Sequence, residues 1–464
     1  MSSLVIAGGD IVAGGAVRRG DVLVADDKIA AVGEVPRGAA TTVIDASGCY
    51  VVPGGVDVHT HLDLEVGAVS SADDFTSGTR AAACGGTTTV IDFATAYGSE
   101  SISSGLAKWH AKADGRAVVD YAFHMTFTEL TRPADDVLAE IVEAGITSVK
   151  LYMTYPERLM VSDHVIREVM RAAERHRVLV ALHCEDDSQV AARRAEALAA
   201  GRVAPKWHAW SRPPEAEAAA VRRAVAMAED TGAALYVVHL SSAPALAEIR
   251  AARERGLPVF AETCPQYLYL DAAMLDRPDE SAARFVCAPP LRDRWHQEEL
   301  WEGLAQGHLQ VVSTDHCPFD GRSKDAGTSG RGWRDFTEIP GGLPGIETRL
   351  ALVYQRVLAG DLTLEQWVDR CCEMPARLFG LSPAKGTLAP GADADVVVFD
   401  PRLTRQLVPE RLHTRCDYSA YEHLTVTGWP RVVLARGRVV AENGEPVGEA
   451  GAGRFLRRAS GRGA

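Results

Sequence analysis

Two histidines one residue apart, His59 and His61, are the first residues in this chain that could do metal chemistry. Residues i and i+2 of a β-strand point to the same side. Both imidazoles could therefore reach one cation. A pair like this is common by chance, so it needs support from other parts of the chain.

That support comes from the residues that end other apolar runs. Lys150, His183, His239 and Asp315 each stand at or near the end of a run rich in Val, Leu and Ile. Four histidines and an aspartate in matched positions are difficult to explain as independent structural residues. Imidazole and carboxylate suit zinc and its first-row neighbours. Lys150 does not fit this set of metal ligands, because an ammonium group cannot ligate a cation.

The elements that must position these residues are eight β-rich runs, which alternate with helical stretches. Such alternation indicates βα units and a parallel sheet, and eight units predict a TIM barrel. A doubly wound sheet is the rival, but no GxGxxG motif follows the first strand. In a barrel the carboxyl ends of all strands meet at one mouth, where the six side chains would converge. The predicted strands are 56–59, 87–93, 118–125, 147–153, 178–183, 235–239, 258–262 and 310–314.

Both ends of the chain have a different pattern from the middle: it predicts short strands separated by glycine-rich turns. We expect them to pair into one small β-sandwich, since chain termini often lie close together. The predicted domains are therefore a first sandwich part at 1–52, the barrel at 53–383, a second sandwich part at 384–445 and a tail at 446–464.

Charge and composition exclude several classes of protein. A net charge of −13 argues against a nucleic-acid partner, which needs a basic face. The one basic cluster, Arg454, Arg457, Arg458 and Arg462, is expected to be a solvated tail. The first residues are not expected to act as a signal peptide, and no uninterrupted run of about 18 apolar residues predicts a membrane span. The nine cysteines are scattered without a CxxC pair, which favours a reducing cytoplasm.

The chain also resembles a known family, the dihydropyrimidinases and hydantoinases of the amidohydrolase superfamily. The similar segments span nearly its whole length. They are Gly55-Val-Asp-Val-His-Thr-His-Leu-Asp, Ala72-Asp-Asp-Phe, Gly85-Gly-Thr-Thr, Val149-Lys-Leu-Tyr-Met-Thr-Tyr, Val238-His-Leu-Ser-Ser, Glu262-Thr-Cys-Pro-Gln-Tyr, Pro289-Pro-Leu-Arg, Asp315-His-Cys-Pro-Phe and Phe336-Thr-Glu-Ile-Pro.

The resemblance implies a role for Lys150. In that family the equivalent lysine is carboxylated on its amine by carbon dioxide, and the carbamate bridges two divalent metal ions. His59 and His61 would then hold one metal together with Asp315, while His183 and His239 would hold the other. Zinc is the expected metal, with manganese and iron as alternatives.

It also implies a reaction, hydrolysis of a cyclic amide in a dihydropyrimidine or 5-substituted hydantoin, which gives an N-carbamoyl amino acid. Asp315 would move the proton of the attacking hydroxide to the leaving nitrogen, and Tyr155 would donate a hydrogen bond to the oxyanion. Main-chain groups at Ala288 and Gly341 would hold the ureide edge, although relatives usually carry serine and asparagine there. Val66, Tyr152 and Leu159 match lid positions that shape the substituent pocket.

Several alternatives stay open. Allantoinase, dihydroorotase and cyclic imidase are the nearest, and a non-catalytic assembly scaffold is the most distant. Against dihydroorotase, no arginine follows His61 closely; against allantoinase, Tyr155 is present. The substrate is expected to be a small cyclic ureide or imide, and relatives commonly assemble as homotetramers, so we expect a homotetramer or a homodimer.

Overall fold

The computed structural model describes residues 3–36, 38, 40–156, 158–328, 332 and 334–459. These residues form nineteen strands. The strands are β1 (Ser3–Ala13), β2 (Ala16–Ala25), β3 (Lys28–Gly33), β4 (Thr42–Asp45), β5 (Tyr50–Pro53), β6 (Gly55–Thr60), β7 (Glu65–Val66), β8 (Val69–Ser70), β9 (Thr87–Ala96), β10 (Asp120–Phe127), β11 (Ser148–Tyr152), β12 (Leu179–His183), β13 (Leu235–Val237), β14 (Val259–Thr263), β15 (Val311–Val312), β16 (Val396–Gln406), β17 (Thr425–Ala435), β18 (Arg438–Glu442) and β19 (Glu445–Pro446).

The helices lie mainly between the strands of the middle region. They are α1 (Phe75–Cys84), α2 (Ile102–Ala113), α3 (Ala134–Glu143), α4 (Asp163–His176), α5 (Asp187–Ala199), α6 (Lys206–Ser211), α7 (Pro214–Thr231), α8 (Ala243–Glu254), α9 (Pro265–Tyr269), α10 (Trp295–Ala305), α11 (Gly321–Ala326), α12 (Arg349–Ala359), α13 (Leu364–Val368) and α14 (Met374–Leu378). Short 3-10 helices cover Ala272–Asp276, Glu280–Phe285 and Pro409–Arg411, and a π-helix covers Asp369–Glu373.

Helix α4 shows how the sequence specifies these elements. The Ser162 side chain accepts a hydrogen bond from the Val165 N–H and caps the first turn. Ile166, Val169, Met170 and Ala173 are buried at helical spacing, so one face packs on the sheet. The strands beneath, such as β9 and β10, are buried along their whole length because both faces are covered.

The middle of the chain is the predicted barrel. Eight strands pair in the order β6, β9, β10, β11, β12, β13, β14 and β15, and every pairing is parallel. A parallel bridge between Thr60 and His316 joins the two edges of this sheet. Each predicted strand overlaps one of the eight, so the predicted fold class is confirmed.

Both chain ends build a second sheet, as predicted. Its nine strands pair along the path β19-β18-β17-β16-β5-β1-β2-β3, and β4 pairs with β1. Strands β1 and β2 come from the N-terminal side, and β16 and β17 from the C-terminal side. The sheet is mainly antiparallel, but β5 lies parallel to β1. One hydrogen-bonded path therefore unites the two halves of the predicted sandwich, and the proposed domain boundaries remain a prediction.

The C-terminal tail packs on the amino-terminal end of the barrel, where the structure corrects one expectation. Arg458 was predicted to be solvated, yet its side chain is buried and donates to the Ser148 hydroxyl and to the Phe379 carbonyl. Open carbonyls at this end of the barrel attract the guanidinium, which composition alone cannot reveal. Arg454 and Arg457 stay more exposed, and Arg462 lies outside the described residues.

Within the part of the chain that the structure describes, no helix combines the length and the apolar character needed to cross a membrane.

Candidate active site

The carboxyl ends of the barrel strands surround a cavity of about 180 Å³. His59 is the penultimate residue of β6, Lys150 lies in β11 and His183 ends β12, while His239 and Asp315 follow β13 and β15 closely. All the residues with a predicted role line this one cavity: His59, His61, Lys150, Tyr155, His183, His239, Ala288, Asp315 and Gly341. Residues far apart in the sequence, such as His59 and Gly341, are thereby brought together by the barrel.

Three of these side chains converge on a single point. His59 Nε2 lies 3.2 Å from His61 Nε2, and Asp315 Oδ1 lies 3.2 Å from each of those nitrogens. Ligands bound about 2.0–2.1 Å from a tetrahedral ion are themselves about 3.3 Å apart. The three atoms therefore have the spacing of ligands to one cation.

Asp57 explains why the ends of β6 and β15 stay in register here. Its Oδ1 accepts the main-chain N–H groups of His59, at 3.3 Å, and of Thr314, at 3.1 Å. Its Oδ2 accepts the Thr314 hydroxyl at 2.5 Å. This buried carboxylate links the residues that carry His59 and Asp315, so it holds the two edges of the barrel together below the cavity.

Glu262, at the end of β14, is a functional candidate that sequence reasoning missed. Its Oε1 accepts the Nδ1–H of His59 and the main-chain N–H of His239 at 3.1 Å, and its Oε2 accepts the Tyr236 hydroxyl at 2.9 Å. Burial raises the pKa of Glu262, against the opposing effect of these donors. A carboxylate on Nδ1 fixes the tautomer of His59 that leaves Nε2 free for a metal. Two signals in the sequence could have indicated it: its place at a strand end and its position in the family-like segment Glu262-Thr-Cys-Pro-Gln-Tyr.

His183 and His239 form a second group, with ring centroids 4.6 Å apart. His183 Nε2 hydrogen bonds Glu185 Oε2 at 2.7 Å, and Arg212 holds that carboxylate at 2.5 Å. This arrangement leaves Nδ1 of His183 as the available ligand atom. His239 Nδ1 is buried and has no hydrogen-bond partner among the described residues. Burial lowers the pKa of both imidazoles, so they are neutral and able to ligate.

Lys150 lies between the two groups and is fully buried. Its Nζ has no hydrogen-bond partner in the part of the chain that is described. It lies 5.0 Å from the centroid of the Phe93 ring and 4.8 Å from that of Tyr152. Burial lowers the pKa of the amine to about 8. A buried lysine without a hydrogen-bonded partner is costly, so the arrangement points to a further group at Nζ.

Tyr155 follows β11 and stands over His183, with ring centroids 5.5 Å apart. Burial raises the pKa of its phenol to about 12, so the hydroxyl remains a hydrogen-bond donor at neutral pH. Tyr155, His239 and Asp315 all have positive φ, at 68°, 38° and 49°. Such conformations cost about 1–3 kcal/mol each in non-glycine residues and cluster at functional sites.

The two predicted substrate loops also meet at this cavity. A Cβ built on Gly341 would lie 3.8 Å from the Ala288 nitrogen, so the loops are adjacent and Gly341 has room for a side chain. The predicted lid positions Val66, Tyr152 and Leu159 line the same cavity, as does Leu64. The cavity is therefore lined by apolar side chains together with the two loops that carry Ala288 and Gly341.

Comparison with known proteins agrees with this geometry. The model of the amidohydrolase family matches residues 50–440. A D-hydantoinase of Streptomyces coelicolor is 44% identical over 466 residues, which covers 99% of this chain and 98% of that protein. A D-hydantoinase of Geobacillus stearothermophilus is 44% identical over 459 residues and covers 98% and 96%.

Comparison with solved structures also gives matches over nearly the full length of the chain. The dihydropyrimidinase of Brevibacillus agri superposes with a TM-score of 0.95 at 42% identity and covers 99% of both chains. An L-hydantoinase of Arthrobacter aurescens is more distant, at 29% identity and a TM-score of 0.86, over 98% of this chain and 99% of that one. These matches show that the chain belongs to the amidohydrolase family, in the group that contains the hydantoinases and dihydropyrimidinases.

Proposed function

We propose that this protein is an enzyme that hydrolyses a C–N bond of a cyclic amide, in a dihydropyrimidine or a 5-substituted hydantoin, to give an N-carbamoyl amino acid. The hydantoinases and dihydropyrimidinase that it resembles over nearly its full length support this activity. The observation that supports it most strongly is the set of three ligand atoms 3.2 Å apart, in a cavity that is also lined by a buried lysine whose amine has no hydrogen-bond partner among the described residues.

The residues fit a centre of two divalent metal ions, with zinc the first choice and manganese or iron the alternatives. His59, His61 and Asp315 would hold one ion, and His183 and His239 the other. Two buried nitrogens, His239 Nδ1 and Lys150 Nζ, have no hydrogen-bond partner within the described ranges, and this supports the assignment. When bound, the ions lower the pKa of water and polarise the amide carbonyl.

Lys150 would bridge the ions as an N6-carboxylated lysine. Its amine has a pKa lowered to about 8, so an appreciable fraction is neutral at pH 7–8 and can attack carbon dioxide. That addition forms an N–C bond, releases the amine proton and gives an anion with two oxygens. The buried amine, which has no hydrogen-bond partner among the described residues, would thus become an anion that can bind the two metal cations.

Asp315 would carry the proton during hydrolysis. Burial raises the pKa of its carboxyl, but the adjoining His59, His61 and Lys150 lower it, and the net shift is downward. Ionised Asp315 can accept a proton from the attacking water and return it to the ring nitrogen as the C–N bond breaks. Tyr155 would donate its hydroxyl to the developing oxyanion, and the main chain at Ala288 and Gly341 would orient the ureide.

A panel of cyclic amides tests this proposal directly. Purified protein, loaded with zinc and bicarbonate, is expected to open 5-substituted hydantoins or dihydrouracil and to hold two metal ions per chain. Allantoin, dihydroorotate and cyclic imides in the same panel separate the alternative substrates. Asp315→Asn should abolish turnover, whereas the matched control Asp325→Asn, an exposed aspartate away from the cavity, should not.

Less than one metal ion per chain, together with no turnover after metal and bicarbonate are added, would refute the enzyme assignment and favour an assembly scaffold.

The oligomeric state and the location of the protein are separate proposals. We propose a homotetramer or homodimer, which light scattering after size-exclusion chromatography can test. We also propose a reducing, cytoplasmic location, which the nine free, buried cysteines support.

A further inference from the structure

Arg158 lies where the active-site cavity meets a second cavity of about 690 Å³. It follows Tyr155 on the loop after β11, and of the residues that the structure describes only Arg158 and Leu64 line both cavities. A group on Arg158 can therefore contact a molecule that begins in the catalytic cavity and extends beyond it.

The Arg158 guanidinium has spare hydrogen-bonding capacity. Its Nη2 donates to the main-chain carbonyl of Glu65 at 2.8 Å, which uses one of five N–H donors. The central carbon of the guanidinium, Cζ, lies 6.0 Å from the centroid of the Tyr97 ring. Among the described residues, no carboxylate oxygen lies within 4.0 Å of its nitrogens. The hydrogen bond to Glu65 fixes the direction of the side chain and leaves the guanidinium without a paired carboxylate in the described part of the chain.

Among the described residues that line the second cavity, basic side chains outnumber acidic ones. Lys108, Lys112 and Arg116 line the second cavity, where the carboxylates are Asp63 and Glu65. Lys108 pairs with Glu100 at 2.6 Å, and Lys112 donates to the Asp63 carbonyl at 2.6 Å. Asp315 is the one carboxylate among the described residues that line the catalytic cavity, and it is one of the proposed metal ligands, with His59 and His61. The passage at Arg158 is therefore suited to an anion.

We propose that Arg158 binds a carboxylate at the far end of the substituent on the substrate ring. The ring would occupy the catalytic cavity, and its substituent would pass Leu64 and Val66 towards the second cavity. A guanidinium binds a carboxylate through two parallel N–H donors, one to each carboxylate oxygen. A carboxamide or an alkyl group on the substrate cannot accept both hydrogen bonds. The inference rests on the proposed function and specifies its substrate class: hydantoins whose hydrolysis gives N-carbamoyl derivatives of acidic amino acids.

A purely structural role is the competing explanation, because Arg158 also ties its loop to the β7–β8 hairpin through Glu65. The two roles differ in what they predict for matched substrates. A loss of loop structure would lower turnover of every hydantoin alike. A carboxylate site would lower turnover only of the anionic one.

The test compares 5-(2-carboxyethyl)hydantoin with its neutral near-isostere, 5-(2-carbamoylethyl)hydantoin, in the zinc-loaded enzyme. The measured quantity is the ratio of kcat/KM for the carboxylate to kcat/KM for the carboxamide. We expect Arg158→Gln to lower this ratio about tenfold, equivalent to about 1.4 kcal/mol. Arg158→Lys should lower it less, since the charge remains but the fork of donors is lost. Added salt should lower the wild-type ratio, because screening weakens an exposed pair.

Arg194→Gln is the matched control, since Arg194 is exposed on α5 and lines neither cavity. It removes the same charge and should leave the ratio unchanged. A ratio in Arg158→Gln within twofold of the wild type would overturn the inference, as would a wild type that opens the carboxamide but not the carboxylate. A wild type that opens no hydantoin or dihydropyrimidine of the panel would instead refute the proposed function, and the inference with it.

Discussion

Replacing Glu262 by glutamine would remove one negative charge beside His59 and keep the shape of the side chain. The structure shows which contacts survive. Oε1 accepts from His59 Nδ1 and from the main-chain N–H of His239, and an amide oxygen can accept both. The amide nitrogen would replace Oε2 and donate to the Tyr236 hydroxyl, which now donates at 2.9 Å. The substitution therefore removes charge far more than geometry.

The magnitude follows from the role of that charge. A carboxylate that accepts Nδ1–H raises the basicity of Nε2, and loss of such a partner weakens metal binding by about 10–100-fold. This corresponds to about 1.4–2.8 kcal/mol. His59 belongs to the site formed with His61 and Asp315, so we expect affinity to fall at that site. The group of His183 and His239 keeps Glu185 and should be less affected.

Competition between apo protein and a chromophoric zinc chelator measures the two affinities separately. Tyr236→Phe is the matched control, because it removes one hydrogen bond to Glu262 and leaves the charge in place. Circular dichroism would confirm that both variants are folded. Wild-type zinc affinity at both sites in folded Glu262→Gln would refute the reasoning, as would an equal loss of affinity in Tyr236→Phe.

Three further predictions concern single side chains. Lys150→Ala should lose the bridge between the metals and abolish activity, short-chain carboxylates should restore part of it, and full activity without them would exclude the bridge. Tyr155→Phe should lower kcat by about 100–1,000-fold with both metals retained, as for loss of one oxyanion donor; a change in KM alone would contradict this role. His413 donates to buried Glu347 at 3.0 Å, and this bond raises the pKa of the imidazole. Its stabilisation is therefore complete below the unfolded pKa of about 6.5 and is lost as pH rises through the higher folded pKa. His413→Gln should cost about 1.5–3 kcal/mol in denaturant unfolding at pH 6 and less at pH 9, and a cost that does not depend on pH would count against the ion pair.

The fold was predictable because its signals are local and repeated. Eight apolar runs separated by amphipathic helices specify parallel strands, and the observed strands fall within a few residues of the predicted ones. The end of each run also located the chemistry, since strand ends share one side of a barrel. The role of Lys150 could not be reached in this way, because its side chain alone cannot ligate a metal; it came from the resemblance to a family.

Other features depend on contacts that no local pattern encodes. Glu262 lies 203 positions from His59, and only closure of the barrel brings them together. Arg458 was expected in solvent, but the open carbonyls at the amino-terminal end of the barrel bind it. In the sequence, Arg158 is indistinguishable from any other loop arginine. Its proposed role in binding an anion follows only from its position in the lining of two cavities.

The sequence by itself determined where polar side chains interrupt apolar runs, and hence which residues could reach a common metal site. Periodicity and strand ends are properties of neighbouring residues, so they can be read along the chain. Only the tertiary structure decided which partner each side chain has: Glu262 for His59, Glu185 for His183 and no partner among the described residues for Lys150 Nζ. Those pairings depend on the distances between side chains from different strands, which exist only once the barrel has closed.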